Sequence, residues 1–331
     1  MSGSQLYKSL SYIDQCKSLT LCRRALPEMG ELPVNLQRWT LKRLDEAFQG
    51  FFRRVKARNG KAGFPRFRGR GWWDSFGFSE FPGIRFDGKR LRFSGMPSGL
   101  KVHLHRKLPE GADIRSCVFR RDGRGWHVCL SVVVKASEKR AATKMVGIDL
   151  GLKVFAYCSD GVILPNPRIA RKAERAQRTA QRALARCKRG SNRRHKVKER
   201  LRRLHRKIAD TRKTWLHQQS AALVNRSDLI VAEDLNVKNM IRHPILAHSI
   251  ADASWSTFLA MLAYKAERAG AHLIRVDPRN TSQRCSGCRE LVPKSLAVRT
   301  HACPHCGLVI DRDWNASINI LRAGMPAGWI T

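Results

Sequence analysis

The sequence predicts an α/β protein: an α/β domain over residues 145–325, preceded by a mixed β-barrel and helical lobe over residues 1–135. Three observations predict it. Short β-like segments dominate the stretch before residue 135; apolar runs that end in carboxylates, VGIDLG and LIVAEDL, begin at Met145; and two CxxC pairs lie near the end of the chain. Alternating strand and helix patterns of the second kind make α/β layers.

Composition narrows the function. Sixty-four Lys and Arg against 26 Asp and Glu give a formal charge of +38 over 331 residues. Self-repulsion on that scale opposes compactness, so a polyanion is the natural complement. A hydrophobic content of 43% excludes a disordered basic tail. No run of about 18 apolar residues suggests a membrane span, and Met1–Thr20 lacks the apolar core of a secretory signal. Ten cysteines are present, four of them in the two CxxC pairs. Cys16, Cys22, Cys117, Cys129, Cys158 and Cys187 are scattered. That pattern suits a reducing, cytoplasmic setting with one metal site better than a disulfide framework.

Taken in order, residues 35–57 predict an amphipathic helix, with Leu36, Leu41, Leu44, Phe48, Phe51 and Phe52 at helical spacing and basic residues opposite. GKAGFPRFRGR, from Gly60 to Arg70, reads as a loop. Its Phe64 and Phe67 either stack on bases between phosphate-gripping cations or anchor the loop on the core. Residues 84–135 predict a β module with strands at Leu100–His105, Ile114–Arg120 and Trp126–Val134. The polar segment 136–144 reads as a linker. Met145–Ile148 leads into a strand, Val154–Cys158 is its hairpin partner, and Ser159-Asp160-Gly161 ends it. Residues 168–225 predict a basic helical pair broken at Arg189-Gly190-Ser191-Asn192. From Arg168 to Lys213 it holds twenty basic residues against three acidic ones, a block that repels itself unless an anion binds it. Leu229–Ala232 is a further strand, Trp255–Ala269 a helix and Leu273–Val276 a last strand.

Two constellations carry chemistry. Cys285-x-x-Cys288 and Cys303-x-x-Cys306, fourteen residues apart, fit a structural four-cysteine Zn²⁺ ribbon over residues 281–308. Gly287 and Gly307 are expected to supply the unusual backbone angles of its knuckles. His301 and His305 are left out, since four thiolates complete the shell. The second constellation is acidic. Asp149 and Glu233 end apolar strands, and Asp313, in DRDWNASINI, falls in the first turn of a helix. Singly, Asp149 could be an N-cap and Glu233 an arginine partner. Together, three converging carboxylates can hold two Mg²⁺ ions that activate water and stabilise a leaving 3′ oxygen.

The order DLG, EDL, TSQ-x-C-x-x-C, CPHCG and D-R-D-x-N-A resembles the TnpB family, the RNA-guided nucleases of bacterial insertion sequences related to type V CRISPR effectors. The resemblance covers most of the chain. It implies an RNase H-like (RuvC) nuclease domain with an inserted zinc ribbon, behind an N-terminal nucleic-acid-binding lobe. Asp149, Glu233 and Asp313 then correspond to the catalytic Mg²⁺ ligands, with Asp311 the competitor for the third role. The resemblance further implies guide RNA and target DNA as partners, with sequence read by base pairing. Cys288-Arg289-Glu290 departs from the usual Cys-Gly, and Ala316-Ser317 from Ala-Ala. The strand and Tyr-Pro turn that open family members are not visible before Gln5, so a short first lobe is expected. The function expected is RNA-guided DNA endonuclease. A catalytically silent RNA-guided regulator is the alternative and would be expected to lose the acids; a transposase proper would need no guide.

Overall fold

The computed structural model describes residues 11–325 except 59–61, 68, 70–72, 79–83, 94–95, 106, 123–124, 136 and 296. The chain divides into two compact units, residues 1–135 and 136–331.

The first unit opens with helices α1 (Tyr12–Ala25), α2 (Pro27–Glu31) and α3 (Val34–Lys56). Ser11 and Asp14 form a reciprocal capping box at the start of α1, so the Ser-x-x-Asp spacing there is a helix-start signal. On α3, Phe64 meets Phe48 and Phe51 edge-on at 5.4 and 5.3 Å, so this ring anchors the following loop. Phe67 does not share that role and is 96% exposed. The strands are β1 (Ser75–Phe78), β2 (Arg85–Phe86), β3 (Arg90–Phe93), β4 (Met96–Lys101), β5 (Asp113–Asp122) and β6 (Gly125–Val133). They form two three-stranded sheets, β1-β5-β6 and β2-β3-β4. Phe78, Ile84, Leu91, Cys117 and Phe119 share one core. Among the described residues no ladder joins the two sheets. The strand expected at Leu100–His105 ends at Lys101. The start of the chain lies outside the described residues.

The second unit contains β7 (Met145–Leu150), β8 (Val154–Cys158), β9 (Ile163–Pro165), α4 (Ile169–Ala185), α5 (Asn192–Arg226), β10 (Leu229–Glu233), α6 (Val237–Met240), α7 (Ala247–Ala253), α8 (Trp255–Ala269), β11 (His272–Val276), β12 (Thr300–Ala302), β13 (Val309–Asp311) and α9 (Arg312–Gly324). Five strands make a mixed sheet ordered β11-β10-β7-β8-β9, with β7, β10 and β11 parallel and the β7-β8-β9 edge antiparallel. The third strand of that edge, β9, is an addition to the elements expected from the sequence.

Burial follows strand parity. Val146, Ile148 and Leu150 of β7 and Ile230 and Ala232 of β10 share a core with α5, α7 and α8. Within it, Phe155 and Phe258 are almost wholly buried and meet edge-to-face at 5.0 Å, each worth roughly 1.5–3 kcal/mol in burial. Leu229 and Val231 point the other way, onto Ile320 and Leu321 of α9. Strand β10 is thus buried on both faces, which is why LIVAE reads as a continuous apolar run. Helix α9 comes close to β7 because residue 147 is glycine. A Cβ there would lie 2.2 Å from the Ser317 carbonyl oxygen and 2.6 Å from the Leu321 nitrogen.

Residues 137–144, read as a linker, are docked within this unit. Ser137 Oγ donates to the Arg268 carbonyl, Arg140 N–H to the Gly270 carbonyl, and Asp228 accepts from Thr143 Oγ1 and the Lys144 N–H. The basic helices divide differently from a uniform hairpin. The buried residues of α5 are Ile208, at its middle, and Leu216, Ser220, Leu223 and Val224 in its second half. Its first half, with Arg193, Lys196, Lys198 and Arg200 exposed, is left for solvent or a ligand.

Candidate active site and four-cysteine centre

Parity places two acids on one face. Asp149 shares its side of β7 with Met145, which packs on the α9 side, and Glu233 shares its side of β10 with Leu229 and Val231. The parallel register pairs Ala232 with Ile148, so the next residues, Glu233 and Asp149, stand side by side where the strands end. Helix α9 crosses that face and carries Asp313 in its first turn. Each of the three acids reaches this place through a different element.

The charges there are not balanced in the ordinary way. Glu233 is buried, at 6% exposure, and accepts a hydrogen bond from Thr281 Oγ1 at 2.6 Å. Asp149 is partly buried. Burial raises the Asp149 carboxyl well above the usual range, and the neighbouring Glu233 and Asp313 raise it further. Burial also raises Glu233, against the opposing Thr281 hydrogen bond. Asp313 differs, since Arg312 Nη2 lies 3.1 Å and Arg299 Nη1 3.6 Å from its carboxylate. Among the described residues no ion pair reaches Asp149 or Glu233. In a chain of charge +38, two adjacent acids without an ion-pair partner form a place that a cation would complete. Oxygen donors of this kind suit Mg²⁺. The N-cap reading of Asp149 and the arginine-pair reading of Glu233 both fall away. Asp311 is the N-cap instead: its Oδ1 accepts from the N–H groups of Asp313 and Trp314 at 2.8 and 3.3 Å. The acids are less tightly gathered than the cysteines, which are the one potential metal-ligand cluster among the described residues.

Cys285, Cys288, Cys303 and Cys306 bring all four sulfurs within 4.8 Å of one another. Cys285 and Cys306 Sγ are 3.6 Å apart, and Cys288 and Cys303 Sγ 3.5 Å. Tetrahedral zinc with bonds of about 2.3 Å would hold sulfurs at about 3.8 Å, so the cluster fits that ion. The two knuckles repeat one hydrogen-bond pattern. Arg289 N–H donates to the Cys285 carbonyl and Cys285 N–H to Glu290; Gly307 N–H donates to Cys303 and Cys303 N–H to Leu308. Both knuckles need a positive φ at the residue after the second cysteine, met by Gly307 at +74° and by Arg289 at +71°. This corrects the role expected of Gly287. Its backbone is ordinary, and it is small because a Cβ would sit 3.2 Å from Cys306 Sγ, while its N–H donates to Cys285 Sγ. His301 is buried against Lys294 and His305 is exposed; neither joins the four sulfurs.

The two sites are mechanically joined, by Asn315 of the D-R-D-x-N-A motif and by two further residues of α9, Asn319 and Arg322, to which the sequence analysis gave no role. Asn315 is fully buried; its Oδ1 accepts from the Ser286 N–H and its Nδ2 donates to the Arg284 carbonyl, both at 2.8 Å. Asn319 Nδ2 donates to the Thr281 and Arg284 carbonyls, and Arg322 reaches the Ser286 carbonyl. Asn315, Asn319 and Arg322 recur at i, i+4 and i+7, one polar stripe on a helix whose other side is apolar. That stripe is the signal by which the sequence marks them. Strand β13 runs directly into α9, with Thr300 opposite Asp311, so the first knuckle, the ribbon strands and Asp313 form one continuous piece.

Comparison with known proteins agrees in extent and kind. Residues 127–243 match the OrfB/IS605 family model described as "Probable transposase", and residues 255–320 match that described as "Cas12f1-like, TNB domain". A protein of Streptomyces pristinaespiralis named "Putative RNA-guided DNA endonuclease" is 32% identical over 330 residues, covering 97% of this chain and 79% of its own. Escherichia coli "Putative RNA-guided DNA endonuclease InsQ" is 30% identical over 302 residues, covering 86% and 73%. The fold is similar to Cas12f1 in a cryo-EM structure of its complex with sgRNA and target DNA, with a TM-score of 0.60 at 14% identity over 95% of this chain and 76% of that one.

Proposed function

Because the chain belongs to the TnpB family, we propose that it is an RNA-guided DNA endonuclease whose RuvC-type site is Asp149, Glu233 and Asp313. The observation that carries the assignment is the recessed Asp149–Glu233 pair at the adjoining strand ends, raised by burial and faced by Asp313. These carboxylates would hold Mg²⁺, which supplies activation of the attacking water and charge stabilisation of the leaving 3′ oxygen. The chain's own contribution is positional. Thr281 orients one oxygen of Glu233, Asp311 occupies itself with the helix cap and leaves Asp313 as the third acid, and the ribbon holds the start of α9. Structural Zn²⁺ bound by Cys285, Cys288, Cys303 and Cys306 would lock that ribbon.

Guide RNA and target DNA are the partners this reading requires. Sequence would come from base pairing, while a chain so basic grips backbone. The test begins by sequencing the RNA that co-purifies with the full chain. DNA matching that RNA is then offered with Mg²⁺. Cleavage is expected from the natural chain and should be abolished by Asp149→Ala, with RNA and DNA binding retained. Cutting that persists in Asp149→Ala, or needs no RNA, overturns the proposal; the second outcome would favour a transposase proper.

A further inference from the structure

Two large aromatic side chains stand beside the acids without belonging to any core. Tyr157, on β8, is the cross-strand partner of Asp149, so both side chains project from the same face of the sheet. Trp314 follows Asp313 directly. The two rings lie nearly parallel, 19° apart with centroids 6.4 Å distant. Both are partly exposed, and neither packs into the apolar clusters on either side of the sheet. Trp314 is held in place, because its Nε1–H donates to the Ser159 carbonyl at 3.1 Å. The Tyr157 hydroxyl is near enough to Asp311 and Asp313 to feel both charges. A tryptophan and a tyrosine are thus fixed at the rim of a carboxylate site, outside the apolar clusters on either side of the sheet.

We propose that Tyr157 and Trp314 form a stacking platform for a nucleobase of the DNA strand being cut, holding the adjoining phosphate over Asp149 and Asp313. A strand reaching recessed acids must be single and flexible. Stacking on aromatic rings holds such strands whatever their sequence, because every base presents a π face. That tolerance suits an enzyme whose specificity comes from pairing elsewhere. The inference rests on the nuclease reading of the same site, and it concerns the rings alone.

The test pairs protein variants with DNA lacking one base. The full chain with its RNA is given matched DNA carrying a single abasic position, moved stepwise past the cut. One position is expected to slow single-turnover cleavage by about 10-fold, the worth of one stacked base. Trp314→Leu and Tyr157→Leu should slow cutting of intact DNA comparably and show no further loss on that abasic substrate. Tyr157→Phe and Trp314→Phe should stay within about 3-fold of the natural chain, since an aromatic ring persists at each position. Losses that multiply on the abasic substrate, or a Tyr157→Phe as slow as Tyr157→Leu, would overturn the platform. A second readout needs no cutting: in the Asp149→Ala chain, a short single strand bearing 2-aminopurine should be quenched on binding, and the quench abolished by Trp314→Leu. Quenching without cleavage by the natural chain would sink the nuclease reading and leave the platform standing. Quenching unchanged by Trp314→Leu would remove the platform and leave the nuclease.

Discussion

Glu233 and Arg289 show what single residues cost this protein and why. Burial raises the Glu233 carboxyl, so without metal the folded state holds its proton more tightly than the unfolded chain. For such a group stability is greatest below the unfolded carboxylate pKa and falls as pH rises toward the folded one. Metal-free protein should therefore lose stability as pH climbs above the ordinary carboxylate range, and Glu233→Gln should remove that part of the slope. The variant is expected to be dead in cleavage yet more stable by about 1 kcal/mol, or ~2–4 °C in Tm, measured by thermal melting in chelator at two pH values. A lower Tm would show that the carboxylate serves the fold. Arg289 occupies a left-handed backbone position that its counterpart Gly307 fills without strain. Arg289→Gly should raise stability by about 0.5–1 kcal/mol, the left-handed cost less the added freedom of the unfolded glycine. Denaturant unfolding reads this directly, and a drop in stability would mean that the arginine side chain itself supports the fold.

Among the elements, the ribbon and α9 act together. Asn315 satisfies two backbone groups of the first knuckle from a fully buried position. Asn315→Ala should cost about 2–3 kcal/mol, because the Ser286 N–H and Arg284 carbonyl lose their partner. Cleavage should fall as well, since Asp313 stands on the same helix two residues earlier. Elemental analysis is expected to find one zinc per chain, and Cys303→Ser is expected to lose it and to release β12, β13 and the start of α9 together. Hydrogen exchange across residues 281–315 would follow that release; exchange confined to residues 300–308 would uncouple zinc from the acid. The basic pair behaves as an element too, but not all its cations are available. Arg194 Nη1 donates to the Leu184 and Cys187 carbonyls, closing the end of α4, and Arg202 and Arg203 pair with Glu199. Replacing Arg194 should loosen the hairpin rather than test binding.

Across the whole molecule, a charge of +38 makes nucleic-acid affinity a question of salt. The available cations are those on the first half of α5 that no ion pair or carbonyl claims among the described residues. Arg193, Lys196, Lys198 and Arg200 meet that condition. Changing these four to Gln should flatten the slope of log affinity against log salt by about 0.7–0.9 for each phosphate left without its cation. Cleavage at saturating RNA and DNA should change little, because the acids lie on other elements. An unchanged slope would mean that this face of α5 meets only solvent.

The residue types and their local periods were enough to determine much of this protein. The two CxxC pairs, the acids closing VGID and LIVAE, helix 255–269 and the basic pair are set by spacings of two to four residues, which chemistry and backbone geometry read directly. Other features depend on residues far apart in the chain meeting in space. Nothing local to VGIDLG says that residue 147 must let α9 approach within touching distance. Nor does it say that parity will set Asp149 beside Glu233, or that Tyr157 will face the distant Trp314. The same holds for the polar stripe of α9, which becomes meaningful only when a knuckle lies against it, and for Arg289, whose strained backbone is imposed by the hydrogen bonds of its turn. Side-chain chemistry is local; side-chain orientation is the outcome of sheet register and helix packing, and only the tertiary structure decided it.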